Sequence, residues 1–193
     1  DIAQWGIGTE HTGPTEIKNI SGTLDLKALY NTATAFNFEC VYDNGVVMHV
    51  ASPDHKLMPE VEAALQKAGS SKKPFDHVGI LFEGDAGKWI YVNRGKITAS
   101  DPAILREKAG PGEIHLYESK DHTDNFLSCI YDGKPTATPV EISHRSITIA
   151  HLANIALRTG STSLKWNPQT ETIEGNEAAS KLLSKEWRKP WVL

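Results

Sequence analysis

The side chains best suited to chemistry in this sequence are histidines and arginines near the ends of predicted elements. His144 and Arg145 stand together in the run Glu141-Ile-Ser-His-Arg-Ser-Ile, where Ser143 can cap a long amphipathic helix. A helix start concentrates unpaired N–H groups, so the pair suits an anionic or oxygen-rich ligand; capping or an interface contact is the plainer use. His151, seven residues on, shares a face with His144 but brings no further metal ligands, and a solvated helix face accounts for both. An Asn44-Gly45 turn of two residues puts Cys40 opposite His49, where thiol and imidazole could serve as nucleophile and base or simply pack across strands. Trp5 is core or an aromatic wall for a bound ring. His11 and Glu10 lie in a loop open to a cleft. Arg94 follows an aromatic-rich strand as either a polar ligand contact or a surface ion pair. The Gly84-Asp85-Ala86-Gly87 segment is a turn, because a phosphate cradle needs a strand running into a helix.

Hairpins and two late helices must position these groups. Asp1 to Gly8 is the end of a helix, closed by Gly6 and Gly8. Thr15 to Leu24 is a strand with Ile17 and Ile20 inward and a bulge near Ser21-Gly22. Thr34 to Tyr42 alternates, with Phe36, Phe38, Cys40 and Tyr42 on one face, and Val46 to Ala51 is its return strand. A short helix follows over Pro59 to Ala68, then a polar connector, Ser70 to Pro74. His77 to Phe82 and Lys88 to Val92 form a second hairpin, continued by Lys96 to Thr98, and Asp101-Pro102 opens a short helix. Asp121 or Thr123 caps a helix over Asn125 to Tyr131 with Phe126, Leu127 and Ile130 inward. In the last third, Ile149, Leu152, Ala153 and Ala156 give the long helix its apolar face, with Ile155 beside them, and Gly160 stops it. Asn176 caps one more helix, and Pro190 leaves Trp191-Val192-Leu193 extended. Trp166, Trp187 and Trp191 are expected to pack the C-terminal tail.

Strands early and helices late define an α+β chain: an open, largely antiparallel sheet with helices on one face. At 193 residues it suits one domain over 1–193, with the helix end at 1–8, strands and hairpins over 15–98, and helices and tail over 121–193. A formal net charge of −4, spread along the chain, leaves no basic stripe for nucleic acid, and the longest apolar run is far short of a membrane span. Two cysteines far apart, Cys40 and Cys129, fit buried thiols better than a disulfide or a metal motif.

Several segments in order resemble one enzyme family. The opening Asp-Ile-Ala-Gln-Trp and Thr12-Gly-Pro-Thr-Glu-Ile are similar to its Asp-Ile-x-x-Trp and Thr-Gly-Pro-x-Glu-Ile segments. So are His144-Arg-Ser, His151-Leu-Ala-Asn-Ile-Ala-Leu-Arg-Thr-Gly, Leu164-Lys-Trp-Asn-Pro and the Arg188-Lys-Pro-Trp close. These are identified as features of the C-terminal domain of bacterial Gfo/Idh/MocA oxidoreductases, the glucose–fructose oxidoreductase and inositol dehydrogenase superfamily. The resemblance implies an NAD or NADP cofactor and a sugar or polyol substrate. It also implies an N-terminal Rossmann domain outside these residues and a homo-oligomer formed through the sheet face. It places the start of the His144 helix near the sugar, and Trp5, His11 and Arg94 remain substrate-binding candidates beside their plainer core, loop and surface readings.

No Gly-x-Gly-x-x-Gly follows a strand here, and the Lys-Pro pairs at Lys73, Lys134 and Lys189 lack the family's preceding Glu. The family's acid/base histidine would fall just before Asp1, so no catalytic residue is expected in this chain, and it is expected to be inactive alone. The chain opens without Met on a helix already under way, as a processed or partial chain would. The compartment stays open between bacterial cytoplasm and periplasm. Two rival readings remain: an NAD-dependent glycosidase or lyase, and a non-enzymatic assembly module.

Overall fold

The computed structural model describes residues 1–52, 63, 79–93 and 96–191. The expected helix over 59–68, the connector 70–74, the start of the 77–82 strand, Arg94, and the last two residues of the tail lie outside the described residues. The chain forms two compact units: Asp1–Gly8 with Pro59–His144, and Thr9–Met58 with Arg145–Leu193.

The second unit is built on a five-stranded antiparallel sheet in the order β3-β2-β1-β7-β8, from β1 (Glu16–Thr23), β2 (Ala35–Val41), β3 (Val47–Ala51), β7 (Ser163–Asn167) and β8 (Thr172–Glu174). The expected bulge is present: the β1–β2 register shifts between Lys18 and Ser21, and Asn19 adopts φ 53°. Ile17 pairs with Cys40 on one side and Leu164 on the other, so all three face the same way, and all are buried. The helix α3 (Val140–Thr159) covers this face. Ile149, Leu152, Ala153 and Ala156 are buried as their spacing predicts, with Ile155 beside them. A side chain at Gly22 would meet the Ala35 carbonyl and Leu157, which records how closely helix and strands approach. The helix ends as expected at Gly160, φ 67°, with Ser161 N–H donating to the Ala156 carbonyl in a Schellman closure.

Two expectations about this unit fail for local reasons. The β2–β3 turn is three residues long, not two: Tyr42 N–H donates to Val46, Gly45 N–H donates to Tyr42, and Gly45 takes φ 85°. This is a type I turn closed by a glycine bulge, and it moves the register by one residue. Cys40 therefore pairs with Met48, and His49 pairs with Glu39. Ser143 is not the cap of α3, which begins at Val140. Ser143 lies within the first turn and donates its hydroxyl back to the Pro139 carbonyl. Asn176, in contrast, caps α4 (Glu177–Ser180) by accepting from Ala179 N–H at 3.0 Å.

The first unit holds α1 (Ile2–Gly6), a three-stranded antiparallel sheet in the order β4-β5-β6, and α2 (His122–Asp132). The strands are β4 (Gly79–Glu83), β5 (Trp89–Asn93) and β6 (Lys96–Ala99). The glycine-flanked turn is confirmed as a turn, with Asp85–Gly87 in a 3-10 helix between β4 and β5. Gly6 and Gly79 are sites of close approach, since a Cβ there would run into the Phe82 and Tyr91 rings respectively. Asp121 caps α2 by accepting from Asp124 N–H at 2.7 Å, and Gly133 ends it.

The face of α2 departs from expectation. Phe126, Leu127 and Ile130 point outward, and Cys129 is the helix's buried residue. The inward side is held by polar contacts instead. Asn125 accepts from Ala137 N–H and donates to the Tyr117 hydroxyl, and the Cys129 thiol donates to the Pro135 carbonyl. These bonds fix the rotation of the helix, so its apolar face is left out. The tail also differs: Trp166 is buried, but Trp187 is 57% and Trp191 65% exposed.

Candidate functional site

Arg145 has the best-defined geometry of the expected site residues. It is three or four residues from the inward positions of α3, so it turns toward the sheet rather than outward. Its Nη1 donates to the Pro168 carbonyl at 2.6 Å and lies 3.1 Å from Glu171 Oε1, with 19% of the side chain exposed. Pro168 and Glu171 are the two ends of the loop joining β7 to β8. Asn167 Oδ1 accepts from Gln169 and Thr170 N–H, and Glu171 takes φ 54° to turn the chain back. Gly13 lies against Pro168 and Trp166, and Trp166 N–H donates to the Thr15 carbonyl. The Thr12-Gly-Pro-Thr and Leu164-Lys-Trp-Asn-Pro segments are thus one packed corner, clamped from α3 by Arg145.

His144, next in sequence, is exposed, as is His151. Because α3 starts at Val140, the N–H groups of His144 and Arg145 lie beyond the open first turn. The argument that they face a helix N-terminus does not apply. Trp5 sits in α1, half-buried, its indole N–H enclosed and without an acceptor among the described residues. His11 is exposed in the loop before β1. Trp5 and His144 belong to the first unit and His11 and Arg145 to the second; Arg94 lies outside the described residues.

The structure also assembles a row that motif reading missed. On the face of the sheet away from α3, Glu39 lies between Lys18, 3.9 Å away on β1, and His49, 3.7 Å away on β3. Lys165 stands between Glu16 and Glu174 on the same face. Alternation along β1–β3 carried this signal, but only the three-residue turn aligns Glu39 with His49. Cys40, on the other face, is buried away from any base, and burial pushes its thiol up to about 12. Burial, with the neighbouring Cys40 charge second, also raises the Tyr42 hydroxyl. A thiol held in its protonated form is a packing group and not a nucleophile, so the Cys40–His49 pairing is withdrawn. Both cysteines are free thiols, as expected.

Among the described residues, no group of three or more His, Cys, Asp or Glu could hold a metal ion, and no helix is long and apolar enough to cross a membrane. Among the described residues every strand pair is antiparallel, and no strand leads through a glycine-rich loop into a helix N-terminus, so these residues do not fit a dinucleotide.

Neither the curated proteins nor the solved structures contain a match to this chain. A family model described as "Oxidoreductase family, C-terminal alpha/beta domain" does match, over residues 83–193. That span includes α2, Arg145 and the β7–β8 loop it clamps, β7, β8 and the Trp-rich tail. The chain belongs to the Gfo/Idh/MocA oxidoreductase family, as its C-terminal α/β domain.

Proposed function

We propose that this chain is the substrate-side and assembly domain of an NAD(P)-dependent oxidoreductase acting on a sugar or polyol. The observation that carries the reading is the family match over 83–193. The antiparallel architecture, which does not fit a dinucleotide, agrees with a division of labour. The nicotinamide, when bound, supplies the hydride chemistry and is held by a nucleotide-binding domain. This chain's part is to orient the carbinol.

Within the first unit His144 is a proposed hydrogen-bonding contact, Trp5 a ring wall and Arg94 a further polar contact; His11, in the second unit, is proposed as a polyol contact of that unit by itself. Arg145 is proposed as a positioning residue that holds the β7–β8 corner. The sheet face bearing Lys18, Glu39 and His49 is the proposed homo-oligomer surface. Its alternating charges can pair with a second copy of the same face.

The test is ligand-observed NMR of this chain with a panel of hexoses and inositols, and separately with NADH. The expected result is weak polyol binding that His144→Ala reduces, no NADH binding and no turnover. Hydride transfer by the chain alone would refute the division of labour. A stable oligomer that binds none of the sugars, even when a nucleotide-binding domain is supplied, would leave assembly as its only role.

A further inference from the structure

We infer that Asn44 is a site of spontaneous modification, at which the Gly45 nitrogen attacks the Asn44 side-chain amide and converts the β2–β3 turn to an isoaspartyl linkage. Of the asparagines in the sequence, Asn44 alone precedes a glycine. Glycine brings no Cβ to shield its own nitrogen, so the approach that other residues obstruct is open there. Asp43, Asn44 and Gly45 are all exposed, and a Cβ built at Gly45 would meet nothing within 4 Å.

The bonds within the turn decide how the reaction runs. Val46 N–H donates to Asn44 Oδ1 at 3.1 Å. This bond folds the side chain back over the Gly45 peptide, in the manner of an Asx-turn. It also meets the oxygen on which negative charge gathers when the amide carbon is attacked, as a donor in an oxyanion hole does. The nucleophile, by contrast, is held back. Gly45 N–H donates to the Tyr42 carbonyl at 3.0 Å, and that bond must open before the nitrogen can lose its proton and attack. Opening of the turn therefore gates the step.

The reaction balances with water as its only co-reactant. A bond forms between Gly45 N and Asn44 Cγ, and the bond from Cγ to Nδ2 breaks. The Gly45 proton leaves with Nδ2 as ammonia, and a cyclic imide remains. Water adding at Cγ restores the main chain with an aspartate. Water adding at the Asn44 main-chain carbonyl leaves the chain running through the side chain, one methylene longer. The aspartate can still accept from Val46 N–H and so keeps the three-residue turn. The isoaspartate lengthens the main chain between Tyr42 and Val46, the segment that sets the register of β3. The pairings it loosens are Cys40 with Met48 and Glu39 with His49. The inference rests on this hairpin alone and is independent of the polyol and assembly readings.

The experiment incubates the full chain at mildly alkaline pH and maps its peptides by mass, with isoaspartyl O-methyltransferase as the probe of the new linkage. The expected result is an amide-to-acid mass gain and methyl transfer in the Asn44 peptide, about tenfold faster than at any other asparagine. Asp132-Gly133 can form the same linkage without a mass gain, and the labelled peptide tells the two apart. Urea should accelerate the Asn44 reaction by releasing Gly45 N–H. Asn44→Gln should suppress it, because a six-membered imide closes far more slowly. The Met48 and His49 amide resonances should shift in proportion to the isoaspartyl fraction and stay in place in freshly prepared Asn44→Asp. Three outcomes would overturn the inference: another asparagine that reacts first, an Asn44 peptide that stays unchanged, or an isoaspartyl fraction that leaves the Met48 and His49 resonances unmoved.

Discussion

The helices α2 and α3 carry large apolar side chains at similar density, four in 11 residues and seven in 20, and use them in opposite ways. In α3 they point at a five-stranded sheet, and the solvent side carries His144 and His151. In α2 the polar side points inward, held by Asn125 and Cys129, and the aromatic side points out. The difference is in what each helix has to lie on. α3 covers strands presenting Ile17, Phe38, Cys40 and Leu164, where burial of apolar area drives packing at about 25 cal/mol per Å². α2 is flanked by the segment 110–121 before it and the turn at Gly133–Ala137 after it, and these offer carbonyls, an amide and a hydroxyl. Satisfying those groups sets its orientation. An apolar stripe alone thus shows that a helix has a preferred side, not that the side faces its own chain.

The largest test of this contrast compares truncations on the two helices. Leu152 is wholly buried, so Leu152→Ala should lower stability by roughly 2–5 kcal/mol through lost transfer energy and a cavity. Ile130→Ala removes a similar side chain from an exposed position and should shift monomer stability by less than about 0.5 kcal/mol. Urea unfolding at a concentration low enough to prevent self-association measures both. Comparable losses would mean that α2 also packs by its apolar face.

The packed side of β2 supplies a second test, through pH. The Cys40 thiol is raised from an ordinary value of 9.0 to about 12 by burial. Above pH 9 the unfolded chain gives up this proton and the folded chain keeps it. Stability from this group is therefore complete below about pH 9 and is lost as pH rises toward 12. Each step of one pH unit across that window costs at most about 1.4 kcal/mol. Tyr42, also raised by burial, adds in the same direction above its ordinary 10.0. Cys40→Ala should flatten the pH 9–11 limb of the unfolding midpoint. An unchanged slope in that variant would mean the thiol does not sense burial.

Much of this was legible in the sequence, and the failures share a cause. Spacing alone located β1 with its bulge, the strands β2 and β3, the Gly160 stop and the Asp121 and Asn176 caps, because each is decided by residues within a few positions. What failed depended on one extra residue or on a distant partner. The Asn44-Gly45 signal points to a two-residue turn, whereas the Asp43-Asn44-Gly45 turn has three, and every pairing on β3 moves with it. The start of α3 was set at Ser143 by its residue type, though Pro139 and Val140 already open the helix. The outward turn of α2 depends on hydrogen bonds to Tyr117, Pro135 and Ala137, which no periodicity encodes. The segments that carry the resemblance say nothing by themselves about which of them touch a ligand. In the structure, those at Thr12–Ile17 and Leu164–Pro168 form a scaffold corner, so much of what identifies the family in them is architecture rather than chemistry.

That corner gives a third test, smaller than the first two. Arg145→Ala removes a charged donor from the Pro168 carbonyl and from Glu171, which should cost about 1.5–3 kcal/mol. Arg145→Lys should recover less than half, because both contacts come from Nη1 at the far end of the guanidinium, which the shorter lysine side chain does not match in reach. If stability is untouched while polyol binding falls, Arg145 contacts the ligand and the clamp is incidental.

The smallest effect separates the two helix caps. Asp121 caps α2 from an exposed position by one bond to Asp124 N–H. Asn176 caps α4 by a bond to Ala179 N–H and also donates from Nδ2 to the Ser161 hydroxyl, just beyond the end of α3. Removing either cap should cost about 1 kcal/mol, but the Asn176→Ala loss should be the larger because it leaves Ser161 without this donor as well. Asn176→Asp separates the two contributions, since a carboxylate still accepts from Ala179 N–H but cannot donate to Ser161 as the amide does. If denaturation midpoints place Asn176→Asp level with Asn176→Ala, the amide's bond to Ser161, and not the cap, is what joins the α3 terminus to the last helix.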